Sequence, residues 1–238
     1  MIEQKKVNHL HSSRTDLEKR GYIEHYDTSG TSKALKPNLE LLHDKTAVNR
    51  SLGAKMLVYR LYKHEVIEAL LLQLDREKAL YTRLEICNTL SHGDANCAKL
   101  MIKYLGKIGK NQYHCLPKKI SKKKSFPLPR DIIARTLGRM DKTTTRILLN
   151  ALPTCSITQA RELIDAIGYQ YFHQKTNKRQ IFNKLYSYYQ DCDDDIIRWK
   201  IICVFGWLKP YSTDILQSIP DTEGILYEEA QKGLQSKN

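Results

Sequence analysis

The chain has 238 residues, 41% of them hydrophobic and 27% charged, which is enough apolar material to bury a sizeable core. Its 39 Lys and Arg outnumber 26 Asp and Glu, and the formal net charge of +13 creates a field that attracts polyanions. A mean hydropathy of −0.51, with no apolar run approaching ~18 residues, excludes a membrane-spanning helix. The six cysteines are scattered with no Cys-x-x-Cys pair, so they are expected to be reduced packing residues, and no metal or other cofactor is expected. Residues 1–6 lead into polar sequence without an apolar h-region, and the expected location is the cytoplasm.

Residues 1–33 hold few aliphatic side chains, and Ser12-Ser13 and the run 28–32 break any pattern. They predict a loosely ordered arm, with a short helix within 16–26, that docks on the first repeat or stays mobile. From Pro37 the pattern turns helical. Segments 37–43 and 47–62 predict a first pair of helices, and 65–74 and 77–90 a second. A helix over 94–108 follows, with Ala98, Met101, Ile102 and Leu105 on one face. The rhythm then lapses over 110–129 and resumes at 130–140. Segments 143–152 and 158–172 pair across Pro153, 177–189 and 194–208 pair across an acidic turn, and 213–219 and 222–235 close the array. The last pair is more polar, as a terminal unit facing water must be.

The most informative of these segments is 194–208. Acidic residues open it, where the helix dipole favours negative charge. Apolar residues at 197, 201, 204, 205 and 208 form one helical face, and Ile196, Ile202, Cys203 and Trp207 extend it almost all round. Such a helix needs neighbours on more than one side. The pattern recurs: from Arg198 the offsets +3, +6, +7 and +8 give Ile201, Val204, Phe205 and Gly206, and matching residues follow Arg83, Arg130 and Ala160. Successive anchors lie 47, 30 and 38 residues apart, which brackets the roughly 40-residue period of two-helix HEAT or armadillo units.

The pattern Arg-x-x-apolar-x-x-small-Leu-Gly, with endings such as Leu105-Gly-Lys-Ile-Gly109 and Thr136-Leu-Gly-Arg-Met140, resembles the second helix of HEAT-like repeats over residues 37–236. The resemblance implies an all-α, right-handed superhelix of about five or six helical hairpins over 34–238, whose second helices line a concave surface used for binding macromolecules. It implies no particular partner. The segment 94–109 carries a second-helix ending at the place where a first helix is needed.

Residues 115–130 carry three prolines, five lysines and one arginine, with no acid before Asp131. Prolines 117, 127 and 129 steer the residues before them away from α geometry, so the segment is expected to be extended. Lys118, Lys119, Lys122, Lys123 and Lys124 then present mobile charges, Arg130 a bidentate fork, and Phe126 a face for a base or an apolar group. The same segment also reads as a solvated connection whose lysines only prevent aggregation. Arg135, in the helix that follows, belongs to the same candidate surface.

Arg83, Arg130 and Arg198 share one repeat position, so they are expected either to form a ladder gripping acidic groups or to pair with acids of adjacent repeats. Tyr169, Tyr171, Tyr186, Tyr188 and Tyr189 interleave with Lys175, Lys178, Arg179 and Lys184, which suits single-stranded nucleic acid as well as it suits core packing. Catalytic signatures are absent: there is no Gly-rich phosphate loop, no Gly-x-Ser-x-Gly and no His-Glu-x-x-His. Some base-excision glycosylases are built from HEAT-like repeats, and Trp199 and Trp207 beside 193–195 and Arg198 are the only comparable cluster. The expected function is a non-catalytic scaffold that binds an acidic protein or peptide. A nucleic-acid-binding module is the alternative, and a DNA glycosylase using Trp199 a more distant one. No membrane contact and no small-molecule substrate are expected.

Overall fold

The computed structural model describes residues 13–24, 26 and 33–236, and among them the regular structure is helical throughout, with no strand. The helices are α1 (Arg14–Lys19), α2 (Leu35–Leu42), α3 (Ala47–Met56), α4 (His64–Arg76), α5 (Leu80–Ser91), α6 (Ala95–Ile102) and α7 (Ile132–Leu137). They continue as α8 (Thr145–Ala151), α9 (Ile157–Gln174), α10 (Lys178–Gln190), α11 (Asp195–Phe205), α12 (Thr213–Ser218) and α13 (Ile225–Gln235). None of the described helices is long and apolar enough to cross a membrane.

Short polar residues set many of the starts. Thr46, Asp94, Asp131, Asn177 and Asp194 each accept a hydrogen bond from a backbone N–H of the first turn, and Ser156 with Gln159 forms a reciprocal capping box. Capping occupies N–H groups that a helix leaves without an internal partner.

Helices adjacent in sequence pack as pairs: α2 with α3, α4 with α5, α6 with α7, α8 with α9, α10 with α11, and α12 with α13. The second members also pack in succession, α3 on α5, then α7, α9, α11 and α13, while α2, α4, α6 and α8 touch in turn beside them. One continuous apolar cluster runs from Leu42 to Ala230 between these two rows. Helix α11 shows what the succession demands. Nine of its eleven residues are buried, because α9 lies on one side, α13 on the other and α10 beside it.

Two expectations need correction. The helix expected over 94–108 ends at Ile102, since Gly106 and Gly109 adopt φ of +74° and +90°, a backbone that favours glycine. Despite its second-helix ending, α6 takes the first-helix place and pairs with α7 across an irregular segment, 103–131. The helix expected from residue 130 begins at Ile132, leaving Arg130 outside it and therefore out of register with Arg83 and Arg198. Of the two alternatives for the N-terminal arm, its described part takes the docked one: the Tyr81 N–H donates to the Arg20 carbonyl at 2.9 Å, Tyr22 meets the Tyr81 ring, and Ile23 is buried. Residues 1–12, 25 and 27–32 of the expected arm lie outside the described residues.

The α2–α3 crossing is closest at Gly53. A Cβ there would fall 2.5 Å from the Leu42 backbone nitrogen and 2.8 Å from the Asn38 carbonyl oxygen, neither of which can swing aside. In an open helix Gly→Ala adds about 1 kcal/mol of stability. Gly53→Ala is instead expected to cost about 1–3 kcal/mol through overpacking, measured by urea unfolding. A stabilised variant would mean that the two helices are farther apart.

Candidate partner-binding surface

The irregular segment 103–131 is anchored at both ends by one buried carboxylate. Asp131 Oδ1 accepts the Ala134 N–H at 2.8 Å and so caps α7. Its Oδ2 accepts from the Gly106 N–H at 3.1 Å and from Gln112 Nε2 at 2.8 Å. A fully buried carboxylate needs such donors to offset its lost hydration.

Between these ends the segment crosses the row of second helices. Phe126 is 5% exposed and lies over Gly168 of α9, where an added Cβ would meet the ring at 2.3 Å and Val204 of α11 at 2.7 Å. Tyr113 packs edge-on against Trp199 of α11 at 4.9 Å, and the Arg130 guanidinium lies 3.9 Å above the Tyr113 ring. Arg135 donates to the Pro129 carbonyl from Nε at 3.1 Å and from an Nη at 2.9 Å, holding the end of the segment against α7.

Beneath Tyr113 lies a buried charge cluster. Lys200 Nζ, in α11, is 3.0 Å from Glu162 Oε1 and 2.8 Å from Asp165 Oδ2, both in α9, and the lysine side chain is fully enclosed. Burial opposes the Lys200 charge, but the Asp165 and Glu162 carboxylates outweigh it and raise its pKa. One ammonium neutralises one carboxylate, and the second is left in a poor solvent. Burial pushes Glu162 up to about 7 despite the pull of Lys200, and it raises Asp165 as well. Among the described residues, Glu162 Oε2 and Trp199 Nε1 have no hydrogen-bond partner. None of these roles was assigned from sequence, although the repeat alignment carried a signal: Glu162 and Lys200 stand two residues after the anchors Ala160 and Arg198.

The candidate residues thus divide. Lys118, Lys119, Lys122, Lys123 and Lys124 are exposed, and among the described residues none of them has an ion-pair partner. Arg130 is exposed on the same segment. Phe126 and Trp199 are corrected: both are buried, the first as the segment's anchor and the second beneath Tyr113, so neither offers a face to a ligand. Arg135 serves the segment's backbone. Lys178 donates to the Lys209 carbonyl at 2.5 Å, and Arg179 borders a shallow depression on α10 with Lys184. Arg198 packs on Tyr189 and pairs with Glu223 at 3.5 Å, which is the acid-pairing alternative rather than the ladder, while Asp194 pairs with Arg161. The tyrosine-rich region is packed: Tyr171 is buried, Tyr186 stacks on Phe182, and Tyr189 meets Phe205.

No protein-family model matches the chain, and no curated protein matches it.

The raised Glu162 pKa has a definite sign. Between the ordinary value of 4.5 and about 7 the folded chain holds a proton that the unfolded chain has released, so stability falls as pH rises through that window. Denaturant unfolding at pH 5 and pH 8 is expected to show a loss of roughly 2 kcal/mol, and Glu162→Gln is expected to flatten it. An unchanged slope in the variant would place the titrating group elsewhere.

Proposed function

We propose that the chain is a non-catalytic α-solenoid of HEAT-like hairpins, right-handed and about six pairs long, that binds an acidic macromolecular partner, most simply an acidic protein segment. The solenoid reading is supported by the succession of second helices from α3 to α13 with first helices alongside. In such an array each pair buries what its neighbour cannot cover alone, and one long face is left for binding.

The observation that carries the functional reading is a clustering of cations. Lys118, Lys119, Lys122, Lys123 and Lys124 are all exposed within seven residues of a pinned segment, and residues 115–130 contain no acid. Maintaining unmatched like charges on an anchored backbone stores a potential that an acidic partner relieves on binding. Trp199 lies under the segment, which leaves the glycosylase reading without its aromatic residue at the surface.

The triple charge reversal Lys122→Glu, Lys123→Glu, Lys124→Glu tests this reading. It is expected to weaken binding of a labelled acidic peptide at low salt by at least about tenfold, equivalent to ~1.4 kcal/mol, with unfolding midpoints unchanged. Unaltered peptide binding would contradict it. Duplex DNA or RNA bound more tightly than the peptide, with a steep dependence on log[salt], would favour nucleic acid instead.

A further inference from the structure

The buried cluster beneath Tyr113 balances its charge only when it holds a proton. Glu162 and Asp165 face the single ammonium of Lys200, and the Glu162 and Lys200 side chains are 2% and 0% exposed. Among the described residues Glu162 Oε2 accepts no hydrogen bond, so an ionised carboxylate there has neither water nor a donor on that oxygen. The surrounding groups do not make up the deficit. Asp131, at the start of α7, adds negative charge nearby, Arg161 of α9 is paired with Asp194, and Arg130 is exposed above Tyr113. On α11, Arg198 pairs with Glu223 and Asp195 is exposed, while burial keeps the Cys203 thiol and the Tyr113 hydroxyl neutral. Arg135 of α7 is turned to the Pro129 carbonyl, and α8 carries only the exposed Arg146.

The cover over this cluster is separable from its supports. Tyr113 meets Trp199 edge-on at 4.9 Å, with Lys200 Nζ 5.8 Å from the same ring. On one side of it, Gln112 Nε2 donates to Asp131 at 2.8 Å and to the Ile108 carbonyl at 3.2 Å. On the other, Phe126 lies over Gly168. Between these holds, half-buried Tyr113 and Leu116 pack on the core, and among the described residues no hydrogen bond of 113–125 reaches a helix. Tyr113 can therefore leave Trp199 while Gln112 and Phe126 stay in place. Helices α9 and α11, by contrast, are packed on each other and on further helices, so the Tyr113 side is the route by which water reaches Glu162.

We propose that residues 113–125 form a pH-gated cover, closed on Trp199 while the Glu162–Asp165–Lys200 cluster holds a proton and lifted when that proton leaves. The sign follows from linkage. Glu162 is held up to about 7 in the closed state and returns toward its ordinary 4.5 once hydrated, so closure is fully favoured below that value and is lost as pH rises to about 7. Lys118, Lys119, Lys122, Lys123 and Lys124 ride on the moving part, so pH sets whether they are held or free. This inference does not depend on what those lysines bind.

Hydrogen exchange of the Trp199 indole N–H, followed by NMR on the full chain, tests it. The protection factor, corrected for the intrinsic pH dependence of exchange, is expected to fall at least about tenfold between pH 5 and pH 7 and to level off above. Glu162→Gln is expected to flatten that fall. Tyr113→Ala, at a half-buried position, is expected to lower protection at both pH values and remove the difference between them. The Ile201 and Ile202 amides in the middle of α11 are expected to exchange more slowly than the indole throughout, which marks the opening as local. A protection factor independent of pH, a slope retained in Glu162→Gln or Tyr113→Ala, or an indole that exchanges no faster than those amides overturns the proposal.

Discussion

An aromatic ring laid over a glycine holds the most distinctive part of this molecule in place. Phe126 occupies the space that any side chain at residue 168 would fill, a space that Val204 of α11 also borders. The segment 103–131 is thereby drawn across α9 and α11. Burying a phenyl side chain contributes about 1.5–3 kcal/mol, more than an exposed lysine-rich segment can gain from its own contacts. Tyr113 on Trp199 and Arg135 on the Pro129 carbonyl are consistent with that path, and the lysines between the anchors are left facing water.

The same path explains the buried charge cluster. A lysine on a helix that is apolar all round has nowhere to extend its ammonium, and α11 places Lys200 toward α9, where Glu162 and Asp165 receive it. Tyr113 covers the cluster from the segment. Replacing such a cluster by apolar residues is often neutral or stabilising, whereas removing one member costs several kcal/mol, so its value lies in fixing how α9, α11 and the segment fit rather than in net stability.

Much of the helical layout was legible because its signals are local and periodic. The apolar faces of 47–62, 158–172 and 194–208, with Thr46, Ser156 and Asp194 at their starts, define helices without reference to anything distant. The segment between α6 and α7 was legible as an interruption but not as a packed structure. Its contacts pair residues tens of positions apart, Phe126 with Gly168 and Tyr113 with Trp199, and no periodicity encodes such pairs. A phenylalanine among lysines and prolines looks like a ligand-facing residue until the bare helix surface that receives it is known. Asp131 looked like the end of a basic run, yet it ties both ends of the segment together.

The central claim is that Phe126 pins the basic segment across the second helices, and a nuclear Overhauser experiment on isotopically labelled protein tests it most directly. Cross-peaks from the Phe126 ring protons to the Gly168 Hα and to a Val204 methyl are predicted, with the methyl shifted by the ring current. A Phe126 ring with random-coil shifts and no cross-peak to either residue would contradict the account.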